Sequence, residues 1–360
     1  MHRFRALVIG AALSLAACGA TASPPASRSG SASASVAPAP SSTAPSPAAS
    51  AKPHVKILYG TLTGAHAFVH MAADKGFIEK YGVTAEAEYA ISTTAIAALV
   101  SGQVQFTTAG AVDTIQAVTS GAPLKILAFN QATNPYGIFS QPAIKTVNEL
   151  KGKTVAIGRK GDTSDLSLRL AFKDTGLNID RDFNVREIGN SPARWAALTT
   201  RQVDAAILEQ NQYEGQAQKA GLTKLISLSE QHIPYASGGL ESNANFIKSN
   251  PDVVMATLKG LIDAGRFFEN PANRDQVLGY VAADLKADNV NDPSVIAAYD
   301  AARQRQAISF PDKSGIEGQI EVLKTLDPAH YSSVTAEQVI DDSFMTQLRA
   351  SGSYTDRAGA

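Results

Sequence analysis

The chain has 360 residues, 44% of them hydrophobic and 18% charged, which is enough apolar material for a substantial core and more chain than one domain usually holds. The formal charge is −1, becoming −3 when the first seventeen residues with Arg3 and Arg5 are set aside, and such near-neutrality excludes a general nucleic-acid surface or a polybasic membrane face. The single cysteine, Cys18, excludes an internal disulfide framework and any cysteine-rich zinc site.

His2, Arg3 and Arg5 make a basic start, and Ala6 to Ala17 form an apolar run too short to span a bilayer. The order Leu15-Ala16-Ala17-Cys18-Gly19 resembles the bacterial lipobox, in which the cysteine thiol is acylated and becomes the new N-terminus after cleavage. That resemblance implies a lipoprotein signal peptide over 1–17, lipid attachment at Cys18 and a membrane anchor of more than one acyl chain, since one alone binds only marginally. An ordinary signal peptide with a chance cysteine is the competing reading. Residues 18–53 are nearly all Ser, Ala, Pro and Thr. They cannot bury enough side chain to offset their ordering entropy, so a disordered linker is expected, or a glycosylated stalk with the same spacing role.

Val55 to Gly60 reads as a strand, followed by a helix from about His66 to Lys75. The alternation continues with a strand at Val83 to Tyr89, a helix at Thr94 to Ser101, a short strand at Gln105 to Thr108, a helix at Val112 to Ser120 and a strand at Leu124 to Phe129. A second set follows: strand Thr154 to Ile157, helix Ser164 to Asp174, strand Asn184 to Ile188, helix Pro192 to Thr200, strand Ala205 to Leu208 and strand Lys224 to Leu228. After Gly238-Gly239 only helices are predicted, at Pro251 to Phe268, Arg274 to Leu285, Pro293 to Gln306, Gly315 to Leu326 and Ala336 to Leu348. Alternating strands and helices imply largely parallel sheets covered on both faces. The organisation predicted is two α/β lobes with a double-crossover hinge and a helical tail: lobe 1 from 54–139 plus 239–360, and lobe 2 from 140–238.

Several segments carry a family pattern. Ala72-Ala73-Asp74-Lys75-Gly76-Phe77-Ile78-Glu79-Lys80-Tyr81-Gly82-Val83 resembles a segment of the periplasmic binding proteins for nitrate, alkanesulfonates, taurine and the thiamin pyrimidine precursor. Further matches are Ala98-Leu99 to Phe106, with Gln105 where Asp is usual; Gly121-Ala122-Pro123-Leu124-Lys125; Glu149-Leu150-Lys151-Gly152-Lys153-Thr154; and Ala197-Leu198 to Ala206, with Arg201 or Gln202 near the expected Gly. The resemblance spans roughly 55–265 and is specific as a set. It implies a type II periplasmic-binding fold and a soluble, monomeric clamp partnered by an ABC permease. Taken one by one, Gly76, Gly102, Gly121 and Gly152 are turn residues that permit positive φ.

Ligands of open parallel sheets sit at the carboxyl ends of strands, and helix N-termini offer free amides. The candidates are therefore Thr63, Gly64 and His66 after the first strand, Ser92 and Thr93 after the second, and Gly110 after the third. In the second lobe Thr163 and Ser164 fall in the segment the family uses for its ligand, Asn190 precedes Pro192, and Glu209 ends a strand. For the hydroxyl and amide residues, and for Asp162, simple N-capping is the rival role. Aromatic walls are expected from Tyr59, Phe68, Tyr136, Trp195, Tyr213 and Tyr235. The charge preference stays open between an anion met by His66, Arg159, Lys160 or Arg194 and a donor-bearing solute met by Glu209.

The function expected is capture of a small polar solute, with no cofactor, metal or nucleic acid. The alternatives are an enzyme of the same fold, of pyrimidine-precursor or menaquinone-pathway type, and a receptor-linked sensor. The spacing of His66 and His70 would suit zinc on a helix, but no third ligand or intervening Glu accompanies them. No nucleophile elbow, P-loop or dinucleotide fingerprint occurs.

Overall fold

The computed structural model describes residues 51–60, 64–129, 134–173, 175–231, 235–236, 238–303, 307–311 and 313–356. The strands are β1 (His54–Tyr59), β2 (Thr84–Tyr89), β3 (Phe106–Thr108), β4 (Leu124–Phe129), β5 (Tyr136–Ser140), β6 (Thr154–Ile157), β7 (Asn184–Glu187), β8 (Ala205–Glu209), β9 (Thr223–Ser227) and β10 (Gly239–Asn243). They make two five-stranded sheets, ordered β2-β1-β3-β10-β4 and β7-β6-β8-β5-β9. Within each sheet the pairing is parallel except for one inserted strand: β10 runs antiparallel between β3 and β4, and β5 antiparallel between β8 and β9.

The inserted strands are the two crossings themselves, and neither β5 nor β10 was predicted as a strand. Phe139, the expected end of the first lobe, lies inside β5 of the second sheet, so the chain has already crossed before Tyr136.

Helices cover both faces. The first sheet carries α1 (Ala67–Asp74), α2 (Ser92–Val100) and α3 (Ala111–Thr119); the second carries α4 (Thr163–Phe172), the short α5 (Ile179–Asp182), α6 (Ser191–Thr199) and α7 (Gln210–Lys219). The tail continues through α8 (Ala244–Ser249), α9 (Pro251–Glu269), α10 (Arg274–Leu285), α11 (Pro293–Arg303), α12 (Lys313–Leu326), α13 (Pro328–Tyr331), α14 (Ala336–Val339) and α15 (Ser343–Ala350). The single helix expected over Ala336 to Leu348 is two, because Ile340 leaves the helix to bridge Ile126 of β4 and the Asp341 amide donates to the Ile126 carbonyl at 3.0 Å. Among the described residues no helix is long and apolar enough to cross a membrane.

The family-like segments build junctions. Gly76 follows Lys75, the C-cap of α1, with φ of +71°, and Phe77 folds back onto Phe267 of α9 with ring centroids 5.5 Å apart. Gln105, standing where Asp is usual, accepts from the Lys56 amide of β1 at 2.9 Å. Asp204, at the matching place before β8, accepts from the Thr154 amide of β6 at 2.8 Å. Arg201 takes φ of +59° at the position where the pattern carries Gly.

The largest core joins α1, α9, α10 and α11 to the first sheet through Phe68, Met71, Leu258 and Tyr299. A second core, with Ile115 of α3, Leu166 and Leu170 of α4, and Ile316 and Ile320 of α12, is shared by the two lobes. The tail thus packs against both. At the return crossing the backbones touch: a Cβ on Gly239 would collide with the Ala128 carbonyl oxygen, and one on Gly238 with that of Ala109. Gly239→Ala must therefore push β10 away from β4, and a loss of about 1–3 kcal/mol or more is expected in a urea melt.

Candidate functional site

Parallel strands end on one edge of each sheet, and the antiparallel β5 and β10 begin on that edge. A cavity of about 790 Å³ lies among these ends, lined from both lobes. From the first come Gly60 after β1, Tyr89 ending β2, Ser92 opening α2, Thr108 ending β3, and Ala109 and Gly110 after it. From the second come Gly158 and Arg159 after β6, Glu187 and Asn190 after β7, and Glu209 at the end of β8. Tyr136 and Gly238 enter from the two crossings, and Ala298, Ala301 and Ala302 of α11 form a small-residue wall.

The loop after β6 is held by its own side chains. Asp162 caps α4: Oδ1 accepts from the amides of Ser164 (2.9 Å) and Asp165 (3.0 Å), while Oδ2 accepts from the Arg159 amide (2.7 Å). The Ser164 hydroxyl donates to Asp162 Oδ1 at 2.7 Å and accepts from the Gly158 amide at 2.7 Å. Ser164 lines the cavity with that hydroxyl already engaged. Thr163 points across the gap, where a Cβ on Gly110 would stand 3.2 Å from its Oγ1 and 3.1 Å from Asp113 Oδ2. Gln116 of α3 donates to the Gly161 carbonyl at 2.8 Å, tying the lobes directly.

Of the residues predicted to contact a ligand, His66, Ser92, Thr93, Gly110, Thr163, Ser164, Asn190 and Glu209 line this one cavity. Asn190 also caps α6, its Oδ1 accepting from the Ala193 amide at 3.0 Å. Gly64 does not line it: its amide donates to Asp284 Oδ2 at 2.8 Å and it packs on Val281 and Ala298. Thr63 lies outside the described residues, as does Cys18.

Tyr136 and Tyr235 are walls, whereas Tyr59, Phe68, Trp195 and Tyr213 are not; Trp195 and Tyr213 pack on each other at 5.3 Å. Lys160 is drawn to Asp180 at 3.6 Å and does not line the cavity. Arg194 does line it, at 3% exposure, but its guanidinium donates to the Ile207 carbonyl (2.7 Å), the Ser191 hydroxyl (2.6 Å) and the Gly189 carbonyl. His66 and His70 both stack near Tyr59, with centroids 6.3 and 6.5 Å away. Among the described residues no group of His, Cys, Asp and Glu is arranged to hold a metal ion.

Sequence reasoning missed Tyr89, Asp113, Glu187 and Gln212. Tyr89 and Glu187 end strands, so the strand-end rule would have found both, and Asp113 sits in the first turn after Gly110. Nothing local in the sequence marks the α11 wall.

Burial pushes the Asp113 carboxyl up from 3.8 to about 6; Arg159 opposes the shift and Asp162 adds to it. Behind it Glu241 of β10 is wholly buried and raised well above the usual range by burial, against the amides of Ala109 (2.8 Å) and Gly239 (3.2 Å) that donate to it. Burial also raises Tyr136, and the Glu209 charge adds to the effect. Among the described residues that line the cavity, two hold a buried side-chain oxygen with no hydrogen-bond partner: Thr108 at Oγ1 and Glu209 at Oε2.

Two lobes of matching strand order, crossed twice and meeting at one cavity lined from both, define the periplasmic binding protein fold. The chain is similar to the periplasmic aliphatic sulphonate binding protein SsuA from Escherichia coli, with 20% identity, a TM-score of 0.67, and 80% of this chain and 97% of that one covered. It is similar to the nitrate-binding protein NrtA from Synechocystis PCC 6803 (16% identity, TM-score 0.63, covering 82% and 88%). The Candida albicans CA3427 gene product, described as having the generic periplasmic binding protein fold, matches at 13% identity and a TM-score of 0.60, covering 83% and 95%. No curated protein matches in sequence. The profile of the NMT1/THI5 like family matches residues 63–272, and the chain belongs to that family.

A raised carboxyl pKa means that the folded state holds more protons than the unfolded chain between about pH 4 and 6, so Asp113 contributes stability as pH falls through that window and costs stability above it. Asp113→Asn is therefore expected to stabilise the protein by ~1–3 kcal/mol near pH 8, with the gain vanishing near pH 4, as read by thermal melts across pH.

Proposed function

We propose that the protein is an extracytoplasmic solute-binding lipoprotein that captures a small polar solute by hinge closure and delivers it to an ABC permease. The observation that carries this reading is the cavity itself, to which strand ends of both lobes contribute. A solute touching both lobes at once stabilises the closed form over the open one, and the permease reads that closed surface. Gln116 and Gly161, already bonded across the gap, mark where the closed form is held. Fold neighbours that are sulphonate-binding and nitrate-binding proteins support a small polar ligand. The protein acts as a monomer and without a cofactor.

Within this reading His66, Ser92, Thr93, Gly110, Thr163, Asn190 and Glu209 contact the solute, while Ser164 shapes the loop. A metabolite library scored by thermal shift is the direct test, because a ligand of the native state raises its melting temperature by mass action. A library with no hit overturns the proposal. For any hit, Thr163→Ala should weaken binding by ~0.5–1.5 kcal/mol in calorimetry, the cost of one lost hydrogen bond.

The anchor is tested separately. Cells fed radiolabelled palmitate should label the intact chain and not Cys18→Ser, and the variant should leave the membrane fraction; equal labelling of both removes the lipoprotein assignment.

A further inference from the structure

The charges around the cavity are unequal. Four carboxylates line it, from Asp113, Asp162, Glu187 and Glu209, against the guanidiniums of Arg159 and Arg194. Each nitrogen of the Arg194 guanidinium already donates to a carbonyl or hydroxyl of its own lobe. Asp162 is likewise consumed by backbone amides and the Ser164 hydroxyl.

Set against the Arg159 guanidinium, which lines the same cavity, are two acceptors. Glu209 heads α7 yet makes no capping bond, and its Oε2 is buried without a partner. Thr108, 2% exposed, leaves Oγ1 unpartnered at the end of β3. These two residues occupy equivalent places, since β3 and β8 are each the strand next to the inserted antiparallel strand. Two residues that each hold an orphan oxygen, one from each lobe, therefore line the same cavity. A buried acceptor without a donor is costly, and a ligand that supplies the donor gains what the free protein lacks. The rings of Tyr89, Tyr136 and Tyr235 line the rest, and aromatic faces attract cations.

Resting on the solute-binding reading above, we infer that the cavity selects an organic cation, a protonated amine or amidine, over bare anions such as sulfonate or nitrate. The Glu209 carboxylate and the Thr108 hydroxyl accept its N–H donors from the two lobes, and a tyrosine face covers its apolar part. Arg159 and Arg194 make the same space unfavourable to a second positive group, so one cationic end is expected per ligand.

Thermal shift and calorimetry with butylamine, benzamidine and phenethylamine, set against ethanesulfonate and nitrate, test this. Stabilisation by a cationic probe and none by the anions is expected, with affinity for that probe falling about tenfold to a hundredfold in Glu209→Gln. Thr108→Val should weaken the same probe, and unliganded melts of both variants control for folding. Stabilisation by ethanesulfonate or nitrate but no cation overturns the inference and leaves the solute-binding reading standing, as does a cation bound equally by wild type, Glu209→Gln and Thr108→Val. Failure of both probe classes alongside an empty metabolite library overturns both.

Discussion

The structure depends on where the chain crosses between lobes. Each crossing ends as a strand in the middle of the next sheet, antiparallel to its neighbours, so it must start at the edge where the parallel strands finish. That single geometric requirement puts the starts of β5 and β10 at the cavity, with Tyr136 opening β5 and Gly238 leading into β10. Glycine is needed at the return because the Ala109 and Ala128 carbonyls already occupy the space a Cβ would take. The two crossings therefore supply part of the cavity wall themselves, through Tyr136 at one and Gly238 at the other.

Buried carboxyls gather at this junction. Glu241 of β10 accepts from the Ala109 amide of the loop after β3 and from the Gly239 amide of the crossing, so one side chain ties the linker to the loop that carries Gly110. Asp284 of α10 serves similarly for the loop after β1, where it accepts from Gly64 and is raised to about 7 by burial, with that amide opposing the shift. Carboxyls held in low dielectric cost stability. Each is bonded to the amide of a loop or crossing, which ties that cost to fixing those segments in position.

Much of this was legible in the sequence, since most strands and helices carry strong local signals. β4 (Leu124–Phe129), β6 (Thr154–Ile157) and α10 (Arg274–Leu285) stand where periodicity predicts them. β5 and β10 were not legible: Tyr136–Ser140 and Gly239–Asn243 are short, each carries a glycine at or near its start, and β10 holds Glu241 and Ser242, polar residues that are buried because neighbouring groups satisfy them. α7 escaped because Gln210–Lys219 is almost all polar, with Tyr213 and Ala217 supplying a stripe of only one turn. At the cavity, the strand-end rule located eight residues that line it, since it follows from topology. It failed for Gly64, whose amide is claimed by Asp284 some two hundred residues away, a partner no local pattern announces.

The two lobes repeat one plan closely enough that their differences carry the chemistry. The strand orders match, Gln105 and Asp204 perform the same junction bond, and the loops after β3 and β8 occupy equivalent edges. Shared parts of the plan are backbone geometry: turns, caps and strand junctions that any sequence with this fold must supply. The unshared parts are the side chains at the strand ends, where one lobe ends β3 in Thr108 and heads α3 with Asp113, while the other ends β8 in Glu209 and surrounds it with Tyr136 and the satisfied Arg194. Ligand chemistry is thus set by a few positions that folding leaves free, which is why the fold follows from resemblance while selectivity must be argued from which polar atoms are left without partners.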